Sequence, residues 1–214
     1  YKELKNLMPS AFSSFADNPR GKKIRVRFAL ESRKAPRHRA CDYLLLANAH
    51  ISIRENTSYA APEKGNGSAA GNFIAPFSTL GKADQWDAAN WQKLIAALNG
   101  EATLIAFEQD RAEAEKQADE WGIPCSIVKP ETVAEVLGPQ CRLFAVDGLM
   151  PQLAALVGCE CRVIMASRLA AVYAPVGNQH KVCTNHTPCH PCYQASCDQE
   201  RSCASGVSVE ALLA

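Results

Sequence analysis

The chain has 214 residues, 47% of them hydrophobic, which is enough to bury the core of one ordinary domain with an appendage. Its formal net charge of +1 excludes the strong overall positive field that favours nucleic-acid binding. No apolar run approaches the roughly 20 residues of a membrane helix, and no secretory signal is present. Because the chain starts at Tyr1 and stops at Ala214 within a predicted helix, we expect a fragment of a longer protein.

Charge is unevenly distributed along the chain. Residues 1–40 contain eleven Lys and Arg against three acidic residues, a net charge of +8, whereas the remainder carries −7. A basic segment can attract phosphorylated or anionic partners, but it can equally be an ordinary solvated face. The alternation of basic and apolar residues predicts a strand at 22–30, and a helix is predicted at 38–50. Asn, Ser, Gly and Pro over 55–71 indicate a linker.

From residue 72 onward, apolar runs alternate regularly with amphipathic segments. Strands are predicted at 73–77, 103–107, 125–128, 142–146 and 162–165, and helices at 87–98, 110–121, 131–137 and 149–157. Their short connections predict right-handed crossovers, and therefore an α/β fold with a Rossmann-like parallel sheet and helices on both faces. Such sheets bind ligands at the carboxyl ends of their strands, which makes loops 76–86, 107–110 and 147–152 the candidate site.

The loop after the first predicted strand combines the hydroxyl residues Ser78 and Thr79 with Lys82 at the start of a helix. Hydroxyls, backbone N–H groups and a lysine at a helix N-terminus can bind phosphate. The glycine spacing of a Walker loop is absent. An ordinary helix-capping turn is the alternative, since Ser, Thr and Asp are common caps.

Two acidic residues follow other predicted strands. Asp147, after the fourth strand, can accept hydrogen bonds from sugar hydroxyls while the adjacent helix start faces a diphosphate. Glu108, after the second strand, can hold a ribose. In the alternative interpretation, Asp147 and Asp110 only cap the helices that follow them.

The ten cysteines fall into two groups. Five are scattered through apolar segments and are predicted to be reduced thiols that pack as small apolar side chains, a pattern that suits a cytosolic protein: Cys41, Cys125, Cys141, Cys159 and Cys161. The other five, beginning with Cys183, lie within 21 residues of the tail. Four of these can supply the thiolates of a tetrahedral Zn or Fe site: Cys189, Cys192, Cys197 and Cys203. A reduced cluster and disulfides are the alternatives.

Three passages carry a family resemblance: Ser78-Thr79 with Lys82 and Trp86, Asp147 to Ala155, and the tail from Pro175 through Cys189-His-Pro-Cys192, Cys197 and Cys203 to Glu210. In this order they resemble the donor-binding domain of the bacterial ADP-heptose heptosyltransferases, glycosyltransferase family 9. The passage at Ser78 resembles the stretch that contacts the donor diphosphate. The passage at Asp147 resembles an Asp-Ser/Thr-Gly-x-x-His-Leu-Ala-Ala motif, and the cysteine passage is similar to a Cys-x-Pro-Cys-x4-Cys ending. The resemblance covers roughly residues 22–214.

The resemblance implies one half of a GT-B architecture with a Cys-rich C-terminal tail. It divides the chain into the end of an N-terminal acceptor domain, an interdomain helix and linker, a Rossmann-like donor domain, and the tail with the start of a C-terminal helix: 1–37, 38–71, 72–182 and 183–214. Together, the strand-end positions and the resemblance predict these donor-binding residues: Ser78, Thr79, Lys82, Glu108, Asp147, Gly148 and Gln152. The catalytic base is expected in the N-terminal domain, outside this chain.

The implied activity is inverting transfer of a sugar from a nucleotide-diphospho-sugar, ADP-heptose, to a lipopolysaccharide-type or other glycan acceptor. No cofactor is required for the transfer, although the tail can hold a structural Zn or Fe. A phosphorylated glycolipid is the expected acceptor. The expected location is the cytoplasm, with peripheral association at the inner membrane.

The chain departs from the family motif after Asp147. Gly148 stands where the family has Ser or Thr, Leu149 where it has Gly, and Gln152 where it has His. These departures leave a non-catalytic protein with a sugar-nucleotide fold as one alternative. A metal-binding interaction module built on the tail is the other.

Overall fold

The computed structural model describes residues 70–175, 177, 179–197 and 202–214. The strand predicted at 22–30 and the helix predicted at 38–50 lie outside the described residues. So do Cys41, the expected acceptor-domain segment and nearly all of the expected linker.

The described residues form an α/β fold with one six-stranded parallel sheet. Its strands are β1 (Gly71–Ala75), β2 (Ala102–Phe107), β3 (Cys125–Val128), β4 (Cys141–Val146), β5 (Glu160–Ile164) and β6 (Lys181–Cys183). The helices are α1 (Ala88–Ala97), α2 (Arg111–Trp121), α3 (Val133–Val136), α4 (Leu149–Leu156), α5 (Ala170–Tyr173), α6 (Ser202–Ser205) and α7 (Val209–Leu213). The predicted fold class is confirmed, as are the five strands and four helices predicted from residue 73 onward; β6 was not predicted.

The strands lie in the order β3-β2-β1-β4-β5-β6. β1 and β4 are therefore neighbours at the centre of the sheet, paired through Ile74 and Phe144 among others. The chain winds outward in one direction through β2 and β3, then returns to the centre and winds outward in the other. The boundary between β1 and β4 is the topological switch point, where doubly wound sheets bind their ligands.

Helices cover both faces of the sheet, as predicted. Successive residues of a strand point to opposite faces, so Ile74 packs in one hydrophobic cluster while Phe73 and Ala75 pack in another. Trp91 of α1 belongs to the first cluster and Met150 of α4 to the second. Both faces of the central strands are therefore removed from water, which explains their nearly continuous apolar sequences.

The helices are short, and features of the sequence account for the buried face of α1 and the end of α2. α1 buries Trp91, Leu94 and Ile95, the spacing of one helix face. α2 ends at Gly122, whose φ of 68° is in the left-handed region that favours glycine. None of the helices in the described part of the chain has both the length and the apolar character that a membrane span requires.

The last residues of the chain help to close one face of the sheet. Val207 and Leu212 are buried in the same cluster as Ile74. The indole N–H of Trp86 donates a hydrogen bond of 3.0 Å to the backbone oxygen of Val207. We call the stretch that contains the tail cysteines, from Cys183 to Cys203, the cysteine-rich segment. The residues that follow it are fixed to the core and do not form a separate appendage.

Candidate functional site

Two hydrogen bonds join the loop after β1 to the start of α4. The Ser78 hydroxyl donates to the backbone oxygen of Asp147 at 2.8 Å, and the backbone N–H of Leu149 donates to Thr79 Oγ1 at 3.1 Å. Ser78 Oγ also accepts from the backbone N–H of Leu80. The structure therefore brings two of the predicted site loops together at the switch point, with the two hydroxyl residues as the link between them.

Gly148 lies where these two loops approach each other. A Cβ atom at this position would lie 3.2 Å from Thr79 Oγ1 and 3.3 Å from the Thr79 backbone nitrogen. Contacts this short would force Thr79 to shift by a few tenths of an ångström, so the close approach of the two loops favours glycine at this position. The glycine that departs from the family motif therefore has a local role in this chain.

Asp147 does not cap α4, so the capping interpretation of this residue is wrong. The N-cap position belongs to Gly148, and the Asp147 carboxylate accepts two hydrogen bonds of 2.7 Å from Nε and Nη2 of Arg168. The Asp147 side chain is 1% exposed and that of Arg168 19%. The predicted sugar-orienting carboxylate is therefore covered, and Arg168 is the more accessible member of the pair.

A second buried carboxylate, Asp84, lies close to this pair. It accepts hydrogen bonds from the backbone N–H of Ser167 at 2.8 Å and from its hydroxyl at 2.9 Å. Burial raises the pKa of Asp147 above its usual value, Arg168 opposes that rise, and the charge of Asp84 adds to it. Two consecutive residues after β5 therefore provide the hydrogen-bond donors for two buried carboxylates. Ser167 provides neutral donors to Asp84, and Arg168 provides a cation to Asp147.

Arg168 is the main site residue that the sequence motifs did not reveal. Its guanidinium lies 4.3 Å from the ring centroid of Tyr173, a cation–π contact. Gln152, predicted to bind the donor, instead donates a 2.8 Å hydrogen bond to the backbone oxygen of Tyr173. The rule that places ligands at strand carboxyl ends would have found Arg168 had it been applied to the loop after the fifth strand.

The cysteine-rich segment packs against the loops after β1 and β5. The backbone N–H of Tyr193 donates to the Ser167 oxygen at 2.9 Å, and that of Ala83 donates to the Ala195 oxygen at 3.1 Å. A Cβ at Gly81 would lie only 2.5 Å from the Ala195 oxygen, so the close approach depends on glycine. The segment is held against the edge of the candidate site by backbone hydrogen bonds.

No disulfide bond joins any of the described cysteines, and the prediction of buried thiols is confirmed for Cys141, Cys159 and Cys161, while Cys125 is half-buried. Burial is the main reason that the pKa of the Cys141 thiol is raised. No group of three or more His, Cys, Asp or Glu side chains within the described residues is arranged to hold a metal ion. A Zn or Fe site at the tail cysteines remains a prediction.

The remaining predicted donor residues lie on other elements. Glu108 follows β2 and is bound at both carboxylate oxygens by Nε and Nη2 of Arg111, each at 2.8 Å. This contact is the main cause that lowers the pKa of Glu108. The backbone of Lys82 lies in the short 3-10 turn Lys82–Asp84, just after the loop that contains Ser78 and Thr79.

Comparisons with protein-family models and with curated proteins give no match to this sequence. Solved structures do match. The glycosyl transferase family 9 from Veillonella parvula has a TM-score of 0.53 at 9% identity, and the match covers 78% of this chain and 47% of that one. The E. coli heptosyltransferase WaaC with ADP-2-deoxy-2-fluoro heptose has a TM-score of 0.51 at 16% identity, covering 78% and 51%.

The chain has the fold of one part of a family 9 glycosyltransferase. The expected Rossmann-like half of a GT-B architecture is therefore confirmed as a fold. The chain spans about half the length of the glycosyltransferases that it matches. At 9% and 16% identity the likeness concerns the fold alone, so donor, acceptor and activity are not carried over with it.

Proposed function

We propose that this chain is the donor-binding half of a heptosyltransferase-like glycosyltransferase and that it binds a nucleotide-diphospho-sugar, ADP-heptose, at the carboxyl ends of β1 and β4. The observation that carries the proposal is the pair of hydrogen bonds linking Ser78 to Asp147 and Leu149 to Thr79. These bonds hold hydroxyl groups, backbone N–H groups and the start of a helix close together at the switch point. Groups of this kind are suited to binding a diphosphate.

In this proposal, the chain stabilises the negative charge that develops on the leaving diphosphate. Thr79 Oγ1 accepts its hydrogen bond from Leu149, so its own hydroxyl proton is not used in that contact and can be donated to a phosphate oxygen. Lys82 and the N-terminus of α4 supply positive charge. The acceptor hydroxyl attacks the anomeric carbon with inversion, and its proton goes to a base in the N-terminal acceptor domain.

Arg168 is proposed to contact the donor, with Asp147 as its positioning residue. The buried carboxylate engages two of the five guanidinium N–H groups, which leaves three for a ligand. Stacking on Tyr173 fixes the plane of the guanidinium. Asp147 then acts on the sugar through Arg168 rather than by accepting hydrogen bonds from its hydroxyls, while Glu108 keeps its proposed contact with the ribose.

The proposed acceptor is a phosphorylated glycolipid or a related glycan. The net charge of +8 over residues 1–40 supports this choice, since a basic segment attracts phosphate groups and anionic membrane surfaces. A cytoplasmic enzyme that associates peripherally with the inner membrane would meet both a soluble nucleotide sugar and a lipid-linked acceptor.

The test is calorimetric titration of the 214-residue chain with ADP-heptose, ADP, UDP-glucose and GDP-mannose. We expect ADP-heptose to bind most tightly and Thr79→Val and Arg168→Gln each to weaken it about tenfold, the effect of losing one hydrogen bond to a charged group. Gln92→Ala, at an exposed position on α1, is the control. A folded chain that binds none of the four ligands would overturn the proposal.

A non-catalytic sugar-nucleotide-fold protein is the second candidate. It is favoured by the Asp147 carboxylate being buried against Arg168 and by Gln152 being bound to a backbone oxygen. The two candidates differ in turnover: an enzyme with its acceptor domain releases ADP from ADP-heptose in the presence of acceptor, whereas a binding protein with the same donor affinity releases none.

A metal-binding module built on Cys189, Cys192, Cys197 and Cys203 is tested separately. The measurement is the metal content of the chain purified under reducing conditions without chelator. Less than about 0.1 Zn or Fe per chain would exclude a structural site, because such sites bind their metal tightly.

A further inference from the structure

Tyr193 of the cysteine-rich segment is an exposed aromatic residue at the edge of the candidate site. It is 53% exposed, the highest value among the exposed large apolar side chains of the described residues. Another of these side chains, Leu80, lies in the loop after β1. The two segments meet where the backbone N–H of Ala83 donates to the Ala195 oxygen at 3.1 Å. Exposed apolar side chains therefore lie on both of the segments that meet at this edge.

The backbone of Tyr193 has a conformation that does not favour tyrosine. Its φ of 57° lies in the left-handed region, which is uncommon for residues other than glycine and strained for a bulky side chain. The backbone N–H donates to the Ser167 oxygen at 2.9 Å, and glycine at this position could form the same bond. Strained residues cluster at ligand-binding sites. A tyrosine that is both strained and exposed therefore points to a ligand that uses its ring.

The Tyr193 ring is the last member of a row of contacts that begins at Arg168. The Arg168 guanidinium lies 4.3 Å from the centroid of the Tyr173 ring. The rings of Tyr173 and Tyr193 then meet edge to face, with centroids 6.2 Å apart. Asp147 engages two of the five N–H groups of the guanidinium. Only one aromatic ring therefore separates the exposed Tyr193 ring from a partly accessible cation.

An exposed aromatic ring beside a cation restricts the chemistry of the ligand. The guanidinium of Arg168 favours an anionic group, and phosphate oxygens match its planar set of donors. The electron-rich face of an aromatic ring attracts the partly positive C–H groups on the face of a sugar. A sugar can be bonded directly to its phosphate, whereas a ribose separates a nucleotide base from it. The closeness of Tyr193 to Arg168 therefore favours a sugar ring over a base.

We propose that Tyr193 packs against the sugar ring of a glycosyl phosphate whose phosphate group is bound by Arg168. This inference rests on the proposed donor function, since a nucleotide-diphospho-sugar contains that unit, and it names the residue that recognises the sugar. The cysteine-rich segment then contributes a ligand contact as well as closing the edge of the site. Loss of the Tyr193 ring should weaken ligands that carry the sugar and leave ligands without it unchanged.

The experiment compares ADP-heptose with ADP, which lacks the sugar, by calorimetric titration of the 214-residue chain. Tyr193→Gly removes the ring and suits the left-handed backbone, so we expect it to weaken ADP-heptose about tenfold and ADP by less than about twofold. Tyr193→Phe keeps the ring and should bind both ligands as the wild-type chain does. If Tyr193→Gly binds ADP-heptose as tightly as the wild type, or weakens both ligands equally, the proposal is overturned.

Asn99→Gly is the matched control for the change in backbone freedom. Asn99 follows α1 at the opposite edge of the sheet and has the same φ of 57°. This variant should leave the binding of both ligands unchanged, and circular dichroism checks that each variant is folded. A tyrosine that serves only folding would give a different result: Tyr193→Gly would have a lower urea midpoint and the wild-type preference for ADP-heptose over ADP.

A further set of ligands separates this inference from the proposed donor function. Mannose 1-phosphate and glucose 1-phosphate carry a sugar and a phosphate without a nucleotide, and Tyr193→Gly should weaken them several-fold. AMP and inorganic phosphate should bind this variant as they bind the wild type. If ADP-heptose does not bind but the hexose phosphates respond to Tyr193→Gly, the donor assignment fails and the role of Tyr193 stands.

The opposite outcomes overturn the role of Tyr193 alone. If ADP-heptose binds and its affinity is independent of the Tyr193 ring, the donor assignment stands without this contact. If Tyr193→Gly weakens AMP and not the hexose phosphates, the ring contacts a base and the sugar assignment is wrong. If neither ADP-heptose nor the hexose phosphates bind to the folded chain, both assignments are wrong.

Discussion

The two buried carboxylates at the carboxyl edge of the sheet are satisfied in different ways. Asp84, in the loop after β1, accepts hydrogen bonds from the backbone and hydroxyl groups of Ser167. Asp147, at the end of β4, is held by the guanidinium of Arg168. Both partners come from consecutive residues after β5, so one short segment fixes the positions of two other loops.

The difference concerns charge. A neutral partner leaves the negative charge of Asp84 in place, whereas Arg168 compensates that of Asp147 with a positive charge. The cation also remains partly accessible, since the Arg168 side chain is 19% exposed. A site that is to bind a diphosphate gains from the cationic arrangement, because an oriented arginine is suited to phosphate.

The largest expected effect is that of removing the cation. Arg168→Met leaves the Asp147 carboxylate buried without a counter-charge and should lower the free energy of unfolding by about 3 to 5 kcal/mol. Urea denaturation measures this loss. The double variant Asp147→Leu with Arg168→Met should recover most of it, and a single variant as stable as the wild type would contradict the assigned pair.

Breaking the contact between Asp84 and Ser167, in which the partner is neutral, should lower the free energy of unfolding by less than breaking the ion pair does. Asp84→Ala leaves the buried N–H and hydroxyl groups of Ser167 without their acceptor, which should cost about 2 to 3 kcal/mol in the same urea experiment. If Asp84→Ala lowered the free energy of unfolding by more than Arg168→Met does, the expected order of these two effects would be wrong.

Removing the Ser167 hydroxyl alone should have a smaller effect. Ser167→Ala retains the backbone N–H that donates to Asp84 Oδ1 and loses only the 2.9 Å bond to Oδ2. We expect a loss of about 1 to 2 kcal/mol in the free energy of unfolding. If this variant costs as much as Asp84→Ala, the hydroxyl and not the backbone N–H is the important donor.

The pH dependence of stability provides a further test of the ion pair. Burial raises the pKa of Asp147 in the folded state above its unfolded value, so the folded chain binds more protons between these two values. The contribution of Asp147 to stability therefore falls as pH rises through that window, which begins near pH 4. Arg168→Met should steepen the fall and Asp147→Asn should remove it, as measured by urea unfolding from about pH 4 to pH 7.

Local sequence was enough to predict most of the sheet and its helices. The central predicted strands are apolar runs, such as Leu104 to Phe107, that are buried on both faces. Glycines such as Gly122 ended helices where they were expected to. β6 was missed because Lys181–Cys183 is too short to show a pattern, and it is a strand only through its pairing with β5.

The candidate site was predicted less completely. The loops that contain Ser78, Thr79 and Asp147 were selected from the sequence, and the structure brings them together. The contact between Asp147 and Arg168, which lies 21 residues further along the chain, was not predicted. A pairing between the ends of two different strands depends on the order of strands in the sheet, which no local pattern specifies.

The sequence by itself determined the α/β class, the succession of strands and helices, and the loops at the carboxyl ends, because these follow from periodicity and from the glycines and capping residues between segments. Only the tertiary structure decided which polar groups meet. It buried Asp147 against Arg168, supplied Ser167 to Asp84, and joined the backbone N–H of Tyr193 to the Ser167 oxygen. The physical reason is that hydrogen bonds between distant segments are formed only after packing has fixed the distances between them.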